Sequence, residues 1–166
     1  RVKYNGYIHP VNLETLEYPG FPTDLQAQWM ALMTIASGKS KVVENIYRDR
    51  FSHVSELMRF GGKIRMDDNV AHIEGNSMLK SAPVMSTDIR ASASLILAAL
   101  SATGKSSISR IYHIDRGYEK IENKIKLLGG KIKRVSSWNI LLQKCDVEYL
   151  YFCWNRFNFS LVIKVL

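Results

Sequence analysis

Two stretches of this chain are near copies of one another. Thr23-Asp24 opens TDLQAQWMALMTIASGKS, and Thr87-Asp88 opens TDIRASASLILAALSATGKS. Gly38-Lys39-Ser40 returns as Gly104-Lys105-Ser106, Asp49-Arg50 as Asp115-Arg116, and Gly61-Gly62-Lys63-Ile64 as Gly129-Gly130-Lys131-Ile132, at a step of 64 to 68 residues. A step of that length exceeds ordinary solenoid units, so each copy must hold several elements and bury a face against its neighbour.

The elements follow from local signals. Thr23 reads as an N-cap with Gln26 as its capping-box partner, and Asp24 in the first turn complements the positive helix end. Residues 25–36 are apolar almost all round and Gly38 is a natural stop, which predicts a helix buried on most sides. KVVENIY reads as a strand, Asp49-Arg50 as a turn, HVSELMRF as a short helix stopped by Gly61-Gly62, and KIRMDDNVAHIEG as a hairpin turning at Asp67-Asp68-Asn69. With one strand supplied upstream, the unit is βαβαββ. The second copy predicts a helix over 88–103, the strand SSISRIY, a turn at Asp115-Arg116, a helix over 118–128 with a Glu122–Lys126 pair on its outer face, and the strand KIKRV. The class is α/β: apolar helices alternating with strands predict helices inside and sheets outside. The units are placed at 18–86 and 87–135 of a partial domain spanning 1–135.

The remainder differs in kind. From Ser136 onward there is no Gly or Pro, and Trp138, Tyr149, Tyr151, Phe152, Trp154, Phe157 and Phe159 crowd together. This break predicts that 136–166 is a divergent aromatic tail, such as a frameshifted or read-through end, the alternative reading being two unusual aromatic strands. The chain opens at Arg1 with no charged-then-apolar leader and no run of membrane-span length, which predicts a cytoplasmic fragment lacking its start. The net charge of +8 is mixed along helices with acidic residues, a pattern of solvated faces or a small-anion site instead of a nucleic-acid groove. Cys145 and Cys153 are not at metal-ligand spacing.

Gly-Lys-Ser invites a phosphate-loop reading, but the required earlier glycine is Met33 in one copy and Ala99 in the other, and each GKS follows a helix. Both are better read as helix stops leading into strands. His53, His72 and His113 stand singly, with no metal-site spacing. Asp24 is the stronger chemical candidate, because a Pro-Gly-Phe-Pro turn holds its carboxylate at a helix entrance as a general acid or base requires. Arg90, starting a nearly uncharged helix, and Arg116, in an Asp-Arg-Gly turn, are placed to grip a carboxylate or phosphate bidentately.

YPGFPTDLQAQ, APVMSTDIRASASLILAAL and RIYHIDRGYEKIENKIKLLGGKI closely resemble the UDP-N-acetylglucosamine 1-carboxyvinyltransferase family of enolpyruvyl transferases, over about residues 18–135. The resemblance implies an inside-out α/β barrel fold of two domains with three βαβαββ units each, of which this chain would hold two units of one domain. It implies transfer of the enolpyruvyl group of phosphoenolpyruvate to the 3-hydroxyl of UDP-N-acetylglucosamine, in peptidoglycan synthesis, with no metal or organic cofactor. Position by position, Asp24 resembles the carboxylate that handles the proton of the sugar hydroxyl and contacts the sugar nucleotide. Ile46 falls where the backbone meets the same ligand. Arg116 resembles the arginine on the phosphoenolpyruvate carboxyl group, with Arg90 beside it and Asp88 ordering the cluster. Tyr47 and Arg48 depart from the family's phenylalanine and acidic residue, and the opposite domain, with its loop cysteine or aspartate and its substrate-binding lysine and asparagine, is absent. The resemblance therefore implies a chain inactive alone, whose partner is the missing domain of the same enzyme, with neither nucleic acid nor membrane. Competing readings are a non-catalytic binding remnant of the same fold, the shikimate-pathway enolpyruvyl transferase, against which GFPTD and HIDRGY argue, and a basic nucleic-acid binder.

Overall fold

The computed structural model describes residues 5–75, 78–136 and 159–165. The first unit runs β1 (Leu13–Glu14), a 3₁₀ turn (Thr23–Leu25), α1 (Gln26–Met33), β2 (Lys39–Val43), α2 (Val54–Arg59), β3 (Lys63–Asp67) and β4 (Val70–Glu74). The second runs β5 (Pro83–Met85), α3 (Ile89–Ser101), β6 (Gly104–Ser109), α4 (Tyr112–Asp115), α5 (Ile121–Leu127), β7 (Ile132–Ser136) and β8 (Phe159–Val165).

Each unit builds a four-stranded sheet of the same topology, β1-β2-β4-β3 and β5-β6-β8-β7. In both, the first pair is parallel and the rest antiparallel, with Val42 opposite Leu13 and Ala71 in one and Ile108 opposite Val84 and Leu161 in the other. The parallel pair forces a helical crossover, and the antiparallel pair in the first unit is closed by the two-residue turn Asp68-Asn69, with Asp68 at φ 48°. Strand residues alternate: Ser40, Val42, Ile64, Ala71 and Ile73 face inward, while Lys39, Lys41, Lys63 and Arg65 face out.

Between the sheets α1 packs along α3. Met30, Met33, Phe60, Ile73, Leu79, Leu95, Ile108, Ile111 and Ile114 form a continuous core around them. Ala91, Ala98 and Ala99 are buried on α3, and their small side chains permit the close approach of neighbouring elements. Helices inside and sheets outside is the arrangement predicted from the all-round apolar helices. The Gly-Lys-Ser triplets lie at the starts of β2 and β6, beyond the helix ends.

Three local expectations are corrected. Thr23 does not cap a helix, because the chain enters α1 through the 3₁₀ turn and the Thr23 hydroxyl donates instead to the buried Glu44 carboxylate (2.9 Å). Gln26 is no capping partner: it is fully buried, and neither atom of its amide has a partner among the described residues. Glu122 bonds Arg134 (3.0 Å) across to β7, since an arginine fork fixed by a strand outcompetes a flexible lysine one turn away. The unit boundaries also differ in detail. The first strands lie upstream of each Thr-Asp, and the strand between β6 and β7 is Phe159–Val165, within the stretch set apart by composition as a tail. The aromatic residues at 137–158 lie outside the described residues. No helix among the described residues is long and apolar enough to cross a membrane.

Candidate functional site

The repeated Thr-Asp dipeptides stand at the entrances of the two central helices, and the packing of α1 against α3 brings these entrances together. Asp24 Oδ1 accepts hydrogen bonds from Arg50 Nη1 at 2.6 Å and Arg90 Nε at 2.5 Å, so one carboxylate from the first unit joins a guanidinium from each unit. The Asp24 side chain remains open to solvent, whereas that of Arg50 is largely covered. Hydrogen bonds from Arg50 and then Arg90 hold the Asp24 carboxyl below the ordinary carboxylate value.

Asp88 has the opposite local role. Extended at φ −155°, it caps α3, its Oδ1 accepting from the amides of Arg90 (2.8 Å) and Ala91 (2.9 Å). Ser52, at the approach to α2, donates to Oδ2 at 3.2 Å. Burial alone would push Asp88 upward, but the Ala91 and Arg90 amides, with Ser52 and Thr87, outweigh it and hold the carboxyl low. Asp88 thus fixes the turn from which Arg90 projects, and Ser52 ties that turn to the first unit.

Arg116 ends α4 and is exposed. It makes no ion pair with Asp24 or Asp88, so the structure joins Asp24, Arg90 and Asp88 directly and Arg116 only by neighbourhood. The following Gly117 packs against Ile89 at the start of α3, where an added Cβ would come within 3.0 Å of the Ile89 Cγ2. Behind this turn, Arg134 of β7 donates to both oxygens of Asp115 (2.9 and 2.6 Å) and to Glu122 of α5 (3.0 and 3.2 Å). The hydrogen bonds that Arg134 donates to Asp115, foremost, and to Glu122 raise it further above its already high value.

Ile46 is partly exposed on the loop after β2. Its amide donates to Glu44 Oε1 at 3.0 Å, so a backbone contact from Ile46 to a ligand falls to its carbonyl. Tyr47 lies beside Ile46 with its ring under the Arg50 guanidinium, 5.3 Å from its centre.

Arg50 was missed from the sequence although a signal was present. The repeat places Asp49-Arg50 on Asp115-Arg116, so the first unit carries its own counterpart of the Arg116 turn. Glu44 was also missed, since nothing local marks an acidic residue after a strand as buried. Chemically, the site is a carboxylate poised beside a covered and a half-covered guanidinium, with a further arginine on the adjoining turn. That set suits a small anion and a proton transfer. Among the described residues no three His, Cys, Asp or Glu gather as metal ligands.

The model of the family described as EPSP synthase (3-phosphoshikimate 1-carboxyvinyltransferase) matches residues 2–125. The UDP-N-acetylglucosamine 1-carboxyvinyltransferase of Afipia carboxidovorans is 54% identical over 137 residues, covering 82% of this chain and 32% of the relative. The enzyme of the same name from Geotalea daltonii is 57% identical over 135 residues, covering 81% and 32%. The chain therefore spans about a third of the length of these relatives. Among solved structures, the enolpyruvyl transferase NikO from Streptomyces tendae matches with a TM-score of 0.69 at 28% identity, over 75% of this chain and 29% of that one. EPSP synthase from Acinetobacter baumannii shares the fold, with a TM-score of 0.56 at 14% identity over 84% of this chain and 28% of its own. Because the family match runs unbroken through both helix entrances and the Arg116 turn, the chain belongs to the EPSP synthase (3-phosphoshikimate 1-carboxyvinyltransferase) family, the enolpyruvyl transferases.

Proposed function

We propose that this chain is part of a UDP-N-acetylglucosamine 1-carboxyvinyltransferase of peptidoglycan synthesis, acting in the cytoplasm, and that it supplies one side of a substrate site completed by a second domain. The observation that carries the reading is the Asp24 carboxylate held by Arg50 and Arg90 where the two units meet. The curated relatives at 54% and 57% identity carry that name, which favours it over the shikimate-pathway enzyme that gives the family its description.

In this reading the sugar 3-hydroxyl oxygen bonds to C2 of phosphoenolpyruvate while C3 takes a proton. The tetrahedral adduct then loses phosphate from C2 and a proton from C3, which restores the double bond and forms the enol ether. Asp24 takes the hydroxyl proton. Arg90 and Arg116 neutralise the phosphoenolpyruvate carboxyl group, with Arg50 alongside, Asp88 fixes Arg90, and Ile46 meets the sugar nucleotide through its backbone. A carboxylate held low by two arginines is a weak base. A substrate carboxylate competing for the same guanidinium groups loosens their hold on Asp24 and raises its proton affinity as the hydroxyl arrives.

The test has two arms. The isolated chain should release no phosphate from phosphoenolpyruvate and UDP-N-acetylglucosamine, while co-expression with the remaining two-thirds of a curated relative should restore release that Asp24→Asn abolishes. In the isolated chain, phosphoenolpyruvate should move the Asp24 carboxyl titration upward. Robust turnover by the isolated chain, or a titration that ignores phosphoenolpyruvate, overturns the reading.

A further inference from the structure

We infer that Glu44 is a positioning residue of this site, the common anchor from which both Asp24 and Arg50 are hung; its catalytic meaning rests on the function proposed above. Glu44 immediately follows β2 and keeps the inward parity of Ser40 and Val42, so its side chain enters the interior and is fully buried. A carboxylate is stable there only if hydrogen bonds replace its lost water. Four do. Oε1 accepts from the Thr15 hydroxyl (2.7 Å) and the amides of Ile46 and Tyr47 (3.0 Å each), and Oε2 accepts from the Thr23 hydroxyl (2.9 Å).

Ile46 and Tyr47 follow Glu44 in its own turn, two and three residues on, whereas Thr15 and Thr23 lie 29 and 21 residues away, so the carboxylate ties that turn to two distant segments. Thr15 follows β1 and also accepts the Asn45 amide at 2.9 Å. Thr23 directly precedes Asp24. Ile46 and Tyr47 form the loop leading to Arg50, and the Tyr47 ring supports the Arg50 guanidinium. The Glu44 backbone is itself latched at both ends, its amide to the Asn69 carbonyl (2.9 Å) and its carbonyl to the Asn69 side-chain amide (3.0 Å). The carboxylate therefore sits on the rigid end of the sheet and fixes, through one oxygen each, the helix entrance bearing Asp24 and the loop bearing Arg50. The Asp24–Arg50 bond depends on both attachments. A residue that merely filled the core would contribute stability without setting that distance.

The two roles separate by titrating Asp24 without any substrate. The chain is labelled with ¹³C at aspartate carboxyl groups, Asp24 is assigned by its loss in Asp24→Asn, and its titration midpoint is read beside the thermal midpoint. Thr23→Val removes one donor to Glu44 and touches neither Asp24 nor its arginines. The midpoint of Asp24 should move upward, toward the ordinary carboxylate value, and Thr23→Ser should return it. Glu44→Gln should give the same upward movement and shift the amide protons of Ile46 and Tyr47 upfield. If Glu44→Gln fails to fold, the Thr23 pair decides alone. A Thr23→Val chain whose thermal midpoint falls while Asp24 titrates unchanged overturns the inference. Addition of phosphoenolpyruvate to the unsubstituted chain reads the proposed function separately, because a null response there leaves the Glu44 result standing.

Discussion

Asp24 and Asp88 occupy the same place in two copies of one sequence and do different work. Asp88 is committed to its own helix, accepting two backbone amides, while Asp24 lies in a 3₁₀ turn with its carboxylate turned outward to two arginines. The difference lies in the neighbours: Arg50 and Arg90 hold the Asp24 carboxylate away from its helix, while the amides of Arg90 and Ala91 hold that of Asp88 against its own. His53 is a second residue whose surroundings decide its chemistry. It is 1% exposed, its Nε2 has no partner among the described residues, and burial pushes it down to about 4 against a weaker opposing pull from Asp88. Between about pH 4 and 6.5 the unfolded chain therefore binds a proton that the folded chain refuses, so stability rises with pH through that window. Acidification from pH 7 to 4 should remove about 3 kcal/mol through this group, and His53→Gln should flatten that part of the profile; chemical denaturation across pH measures both.

At the scale of elements, the pairing of α1 and α3 is what makes a site from two repeats, since it sets the two Thr-Asp entrances side by side. Smaller contacts keep the sheets against this pair. Gly75, just after β4, donates its amide to the Gly38 carbonyl at 2.7 Å, and a Cβ built on it would overlap the carbonyl oxygens of Ala36 and Gly38. Backbone cannot yield as a side-chain tip can. Gly75→Ala should accordingly cost about 1–3 kcal/mol by urea denaturation, although alanine is the smallest possible addition. In the second unit Arg134 joins β7 to α4 and α5 through two carboxylates, so the Arg116 turn is braced from behind by the sheet.

For the whole molecule, the repeat is a repeat of topology: two sheets of identical strand order enclose the paired helices. The strand Phe159–Val165 completes the second sheet by lying between β6 and β7, and among the described residues β7 pairs with no other strand. The alternating apolar residues of this segment suit a strand. Among the described residues, removing 159–166 leaves β7 without a strand partner and β6 with an open edge. The truncated chain should melt at a lower temperature and less cooperatively by circular dichroism; an unchanged transition would show that the second sheet does not need this strand.

The amino-acid sequence by itself determined the repeat, the order of elements in the first unit, the burial of the central helices and the candidates Asp24, Arg90 and Arg116, but not α4, which stands where a strand end and a turn are expected. These rest on periodicity, turn residues and motif spacing, all of which act between near neighbours or recur at a fixed step. Only the tertiary structure decided the partners: Thr23 with Glu44, Asp24 with Arg50 and Arg90, Glu122 with Arg134, and 159–165 with β6 and β7. The physical reason is competition. A hydroxyl, a carboxylate or a strand edge accepts any suitable partner that packing presents, and which one is presented depends on how the two helices settle against each other, not on the residues beside it in the chain.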